Sequence, residues 1–175
     1  MENKEYNDIY DKDRNLTGRV HLRGTRWKRG EYGLVACVWV YDGRGNILLT
    51  RRAPEKTAAG TWENSGGAVK AGETSLQGGV RELFEETGIR ARPEDFELLG
   101  SQRDGKAHFD HYCLKADVPL EDIVLLPGET DDVQWATFQT IHSMIRTNAI
   151  HPVIGKQFLK YEQQLLAKQS AQQPH

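Results

Sequence analysis

The stretch that most restricts the fold runs from Gly67 to Ile89 and reads GAVKAGETSLQGGVRELFEETGI. Thr74, followed three residues later by Gln77, forms a capping box and predicts a helix that begins at Ser75. Gly88 supplies the left-handed stop after the last turn. At about 100° per residue, Leu76, Val80 and Leu83 share one stripe, with Phe84 at its margin. Glu82, Glu85 and Glu86 gather on the opposite side, so the helix has an apolar back and a carboxylate front. On most helices an acidic front is solvated surface. Here Glu82 and Glu86 form an i,i+4 like-charge pair, which costs about 0.2–0.5 kcal/mol. Gly78 and Gly79 lie on the same side, and two interior glycines cost about 2 kcal/mol relative to alanine. Local sacrifices of this kind mark functional sites, and bare glycine lets a backbone or a ligand come close. Clustered hard oxygen donors suit Mg²⁺ or Mn²⁺, and Mg²⁺ sites commonly hold substrate phosphates.

The spacing Gly-x5-Glu-x7-Arg-Glu-U-x-Glu-Glu-x-Gly-U, with U a bulky apolar residue, is met at every fixed position, from Gly67 and Glu73 through Arg81, Glu82, Glu85 and Glu86 to Gly88 and Ile89. The run thus resembles the Nudix box, and the strand pattern around it extends the likeness to about Tyr32–Gln164. The resemblance implies a single α/β domain, an α/β/α sandwich around a mixed, curled sheet. It also implies metal-dependent hydrolysis of a nucleoside diphosphate linked to another moiety, with Mg²⁺ (or Mn²⁺) as cofactor. By the same resemblance Glu82 and Glu86 are the principal metal ligands, with the Gly66 carbonyl beside them. Glu85 is a further ligand or is held by Arg81, and Glu73 pins the loop to the helix by pairing with Arg81. Glu129 sits six residues before Trp135, where many relatives carry a glutamate, and is a candidate ligand or general base. Either Glu85 or Glu129 can take the proton of the attacking water, and the sequence leaves both open.

The 175 residues suit one domain with a sizeable core. We expect a polar arm and edge strand at 1–30, the hydrolase domain at 31–168 and a disordered tail at 169–175. The start, MENKEYNDIYDKDRN, is polar, without the apolar core of a secretory leader, and no apolar run reaches the length of a membrane span. A cytoplasmic protein is expected. With 23 basic and 25 acidic residues there is no global basic field for nucleic acid. The expected partner is a small phosphorylated, nucleotide-derived substrate, and the arm leaves room for a homodimer. Cys37 and Cys113 lack metal-ligand spacing and read as buried free thiols.

Arg19–Arg29 is locally basic, and it reads either as an edge strand in water or as a source of Arg23, Arg26 or Lys28 for an anionic substrate. Leu34–Tyr41 and Asn46–Arg52 predict a hairpin around Asp42–Gly45. Arg52 and Lys56, at the strand end and in the loop after it, are either solvated or substrate-binding, since a guanidinium fork suits phosphate oxygens. Glu97–Arg103 and Ala107–Lys115 predict paired strands. His108 and His111 on the second would point to opposite faces, which argues against a two-histidine metal site. For Phe109 and Tyr112 core packing outweighs a role in lining a base pocket. Helices are expected at Phe138–Arg146 and from Pro152 to about Lys168. Asn64-Ser65 replaces the Leu-Pro common in relatives and loosens any substrate inference from that loop. Isopentenyl-diphosphate isomerase shares the fold, but the cysteine and histidine it needs before the box are matched here by Gly66 and Ala68. A nucleotide-sensing module without turnover is the other alternative; such modules usually lack box glutamates that this chain retains.

Overall fold

A computed structural model describes residues 4–170. Strand β3 (Gly33–Tyr41) is its axis, and all but one of its residues are buried. It pairs in parallel with β8 (Ala107–Lys115), which pairs antiparallel with β7 (Phe96–Asp104). On its other edge β3 meets two strands. Its first half runs antiparallel to β6 (Ser65–Ala68), and its end meets β4 (Asn46–Arg52) at Tyr41 and Ile47. Strand β4 pairs antiparallel with β5 (Trp62–Glu63) and with β9 (Thr130–Thr137). The sheet is therefore mixed and open, and it opens where β6 and β4 part company along β3.

Alternation along β3 sorts the core into two layers. Val38 and Val40 join Leu48, Leu114 and Leu83 under helix α1 (Ser75–Thr87). Trp39 and Tyr41 join Ile47, Leu49, Ile141, Phe158 and Leu165 under α2 (Phe138–Arg146) and α3 (Pro152–Ser170). This is the expected α/β/α sandwich. Helix α1 carries the predicted capping box between Thr74 and Gln77, and Gly88 ends it with φ of 72°. Gly79 faces Val38, Ala36 and Tyr112 of the sheet, and Gly78 faces Val69 and Glu73 of the loop before the helix, so both helical glycines make room for the protein's own packing rather than for a ligand.

Two expectations change. The loose arm is instead a hairpin of β1 (Tyr6–Tyr10) and β2 (Leu16–Leu22). Its inward residues are Asn7 and Ile9, so it carries little apolar periodicity to read. The hairpin is fastened by Asn7, which donates to the Val69 carbonyl at 2.8 Å, and by Arg14, which forks onto Asp110. At the other end, Gln169 and Ser170 continue α3 where a tail was expected, because the buried Gln169 side chain accepts from the Gly45 amide. The rest of that tail lies outside the described residues. Among the described residues no helix is long and apolar enough to cross a membrane.

A methyl group on Gly79 would touch Val38 at 3.4 Å, an ordinary contact. Gly79→Ala should therefore raise unfolding free energy by about 1 kcal/mol in urea titrations, through helix propensity alone. Gly66 differs: its φ is 153° and a Cβ would stand 2.3 Å from the Ala36 carbonyl oxygen. Gly66→Ala should cost roughly 3 kcal/mol in the same experiment.

Candidate active site

The site is built where α1 crosses β6. A Cβ on Gly67 would lie 2.6 Å from the Glu82 carboxyl carbon, so the carboxylate occupies the space that glycine leaves open. The Gly66 amide donates to Glu86 Oε2 at 3.2 Å. Glu86 is only 8% exposed, so the acidic front of α1 is not all surface: its last turn folds the carboxylate under the glycine strand. Burial raises the Glu86 pKa well above the usual carboxylate range, and the charges of Glu82 and Glu63 push it further. Burial likewise raises Glu82, against the pull of Arg81.

Arg81 is the hub. It donates to Glu73 at 2.8 and 3.0 Å, to Glu82 at 2.7 Å, to Glu85 at 3.1 Å and to the Ala68 carbonyl at 3.1 Å. Glu73 also accepts from the Lys70 amide at 3.0 Å. These bonds, Arg81 foremost, hold the Glu73 carboxyl below its ordinary pKa. The loop before the helix, the helix and the end of β6 are thus joined through one guanidinium.

A cleft of about 250 Å³ brings together Glu82, Glu85, Glu86, Arg81, Gly66 and Gly67 with Lys56 and Glu129. Lys56 forms an ion pair with Glu129, and the two stand on one wall, because the Ala53 amide donates to the Glu129 carbonyl at 3.0 Å. Arg52 does not line this cleft. Its guanidinium is committed to Glu63 at 2.8 Å and to the Thr57 carbonyl at 2.6 Å, and it borders the adjoining depression beside Asn64 and His151. Arg23 does reach the cleft, whereas Arg26 and Lys28 do not line it. Sequence reasoning missed Glu5, Glu63 and Lys70. Glu5 enters only through the hairpin, Lys70 occupies a variable position of the box, and Glu63 carries no spacing signal.

Among the described residues no three His, Cys, Asp or Glu side chains already converge as a finished metal site. Arg81 explains this, since it draws Glu82 and Glu85 onto itself. The donor chemistry nevertheless fits a divalent cation. Two neighbouring carboxylates, Glu86 buried and Glu82 partly so, are held there at the cost of their charge, and a hard cation would relieve that cost.

A family model described as the NUDIX domain matches residues 31–158. The chain belongs to the Nudix hydrolase family. An uncharacterised Nudix hydrolase of Listeria monocytogenes is 30% identical, over 78% of this chain and 82% of that protein. Among solved structures, a Deinococcus radiodurans protein superposes with a TM-score of 0.71 at 20% identity, covering 83% of this chain and 91% of that one. A Francisella tularensis bifunctional NMN adenylyltransferase/ADP-ribose pyrophosphatase, solved with AMP and a manganese ion, superposes with a TM-score of 0.58 at 21% identity. That match covers 78% of this chain and 43% of the Francisella chain, and both structural likenesses bear on the fold alone. This Nudix protein also resembles, over 45% of its length, a CTP pyrophosphohydrolase of Escherichia coli at 37% identity. Its family acts on nucleoside diphosphate-linked substrates and generally needs a divalent metal.

In the metal-free Nudix protein, Glu86 holds its proton more tightly folded than unfolded. The stability this group contributes is complete below the unfolded carboxylate range and is lost as pH rises through the raised folded value. Glu86→Gln removes that loss. In EDTA its denaturation midpoint should exceed wild type at about pH 8, and the gap should close towards about pH 4. Glu73 and Asp110, whose lowered pKa values give the opposite trend, are common to both proteins and cancel. A gap independent of pH would contradict the burial argument.

Proposed function

We propose that the chain hydrolyses a phosphoanhydride bond in a small nucleotide-derived diphosphate, with Mg²⁺ or Mn²⁺ held by Glu82, Glu86, Glu85 and the Gly66 carbonyl. The observation that carries this reading is the burial of Glu82 and Glu86 against Gly66 and Gly67 in a cleft that also displays cations. When bound, the divalent ion supplies charge neutralisation for the phosphate oxygens and acidifies water. The chain's own residues do the rest. Arg81 fixes the carboxylates of Glu82 and Glu85 and ties them to Glu73, so the helix front cannot drift from the glycine strand. Lys56 faces the cleft and meets a phosphate oxygen once it leaves Glu129.

That exchange frees the Glu129 carboxylate to accept a proton from the attacking water; Glu85, on the other wall, is the competing base. Arg52 stays on Glu63 and meets the substrate beyond its phosphates, from the neighbouring depression. Gly88 and Glu73 are structural, one ending the helix and the other anchoring its start. Cys37 and Cys113 are buried free thiols, which suits a reducing compartment and supports a cytoplasmic location.

The test is turnover of nucleotide sugars, dinucleotides and nucleoside triphosphates with Mg²⁺ or Mn²⁺, read as mononucleotide or phosphate release. Wild type should turn over at least one of them, and Glu82→Gln or Glu86→Gln should lower kcat by about 100-fold or more with the fold intact. Tight binding without hydrolysis would turn the reading towards a sensor. Glu129→Gln should lower kcat by about 100-fold with little change in KM if it is the base. An unchanged kcat would pass that role to Glu85.

A further inference from the structure

The N-terminal hairpin lies outside the segment that matches the family, yet it walls a second cavity of about 340 Å³ that meets the acidic cleft at Arg23 and Ala68. Its walls are mainly apolar, with Trp27, Phe109, Val35 and Ala107, and Asp104 and Lys106 line it as well. Phe109, for which core packing was the expectation, is half-buried at this cavity. It pairs with Val35 near the start of both strands, where the sheet meets the hairpin. Trp27 is held in place, stacked on His21 with ring centroids 3.7 Å apart.

Two buried polar side chains line the same cavity. His21 is 7% exposed, and among the described residues neither ring nitrogen has a hydrogen-bond partner. Asn7 is 5% exposed and uses its amide nitrogen on Val69, which leaves its oxygen unengaged. Both side chains line the cavity, where a ligand would reach their free donors and acceptors. An alkyl chain would meet the aromatic walls but strand Asn7 and His21. A flat heteroaromatic ring with donors and acceptors along its edge satisfies both.

We propose that this cavity is the nucleobase subsite, with His21 and Asn7 reading the base edge and Arg23 holding the adjoining phosphate at the mouth of the acidic cleft. Arg23 spans the junction because it lines both spaces, and its side chain pairs with Glu5, just before β1. The hairpin thereby selects the substrate, while the box helix acts on its phosphates. This assignment rests on the phosphoanhydride reading above, but it is tested without turnover.

The experiment is calorimetric titration of the full-length chain with the four common ribonucleoside monophosphates and with ribose 5-phosphate, in EDTA. Wild type should bind at least one mononucleotide about ten-fold more tightly than ribose 5-phosphate. His21→Leu, which keeps the apolar contact with Trp27, should lose that preference. Ala107→Met, which fills the cavity, should lose it too, with ribose 5-phosphate affinity unchanged in both. No preference in wild type, or a preference that survives both substitutions, would overturn the proposal. Should the substrate panel show no hydrolysis while this base preference holds, the phosphoanhydride reading fails and the nucleobase subsite stands.

Discussion

The structure depends on the close approach of one helix to one strand of glycines. Helix α1 can lay Glu82 over Gly67 and turn Glu86 into the Gly66 amide because neither glycine presents a side chain there. Any Cβ at Gly67 would collide with the Glu82 carboxylate, and one at Gly66 would collide with the backbone of β3. The same strand is hydrogen-bonded into the sheet along Val35–Val38, so the acidic cluster is referenced to the most buried part of the molecule. A catalytic group mounted this way inherits the rigidity of the core.

That placement opposes stability. Two carboxylates are held together in partial burial, and both resist ionisation. Arg81 compensates only in part, since it must also serve Glu73, Glu85 and the Ala68 carbonyl. A chain selected for stability alone would put apolar or neutral residues at 82 and 86. The tension is relieved by a ligand of opposite charge, and the cations on the far wall give the other half of a site for a metal and its phosphates.

Much of this was legible in the sequence because local signals agreed with one another. The capping box and Gly88 set the bounds of α1, and the apolar run at Leu34–Tyr41 marked the central strand. Glu82, Glu85 and Glu86 fell in one cleft because helical spacing fixes their common face. The depth of Glu86 was hidden, since period alone cannot show that a strand of glycines lies over the helix. The hairpin was hidden for a different reason. Its inward side chain at Asn7 is polar and earns its place by one long-range bond to Val69, which no local pattern predicts. For the same reason Glu5 and Lys70 gave no advance sign of standing at the cleft.

Anomalous diffraction from crystals soaked in manganese tests the central claim most directly. The account predicts a peak between Glu82, Glu86 and the Gly66 carbonyl, with oxygen ligands at about 2.0–2.6 Å and Arg81 drawn back onto Glu73. Manganese bound only at other carboxylates, with Glu82 still on Arg81 and Glu86 still on the Gly66 amide, would contradict it.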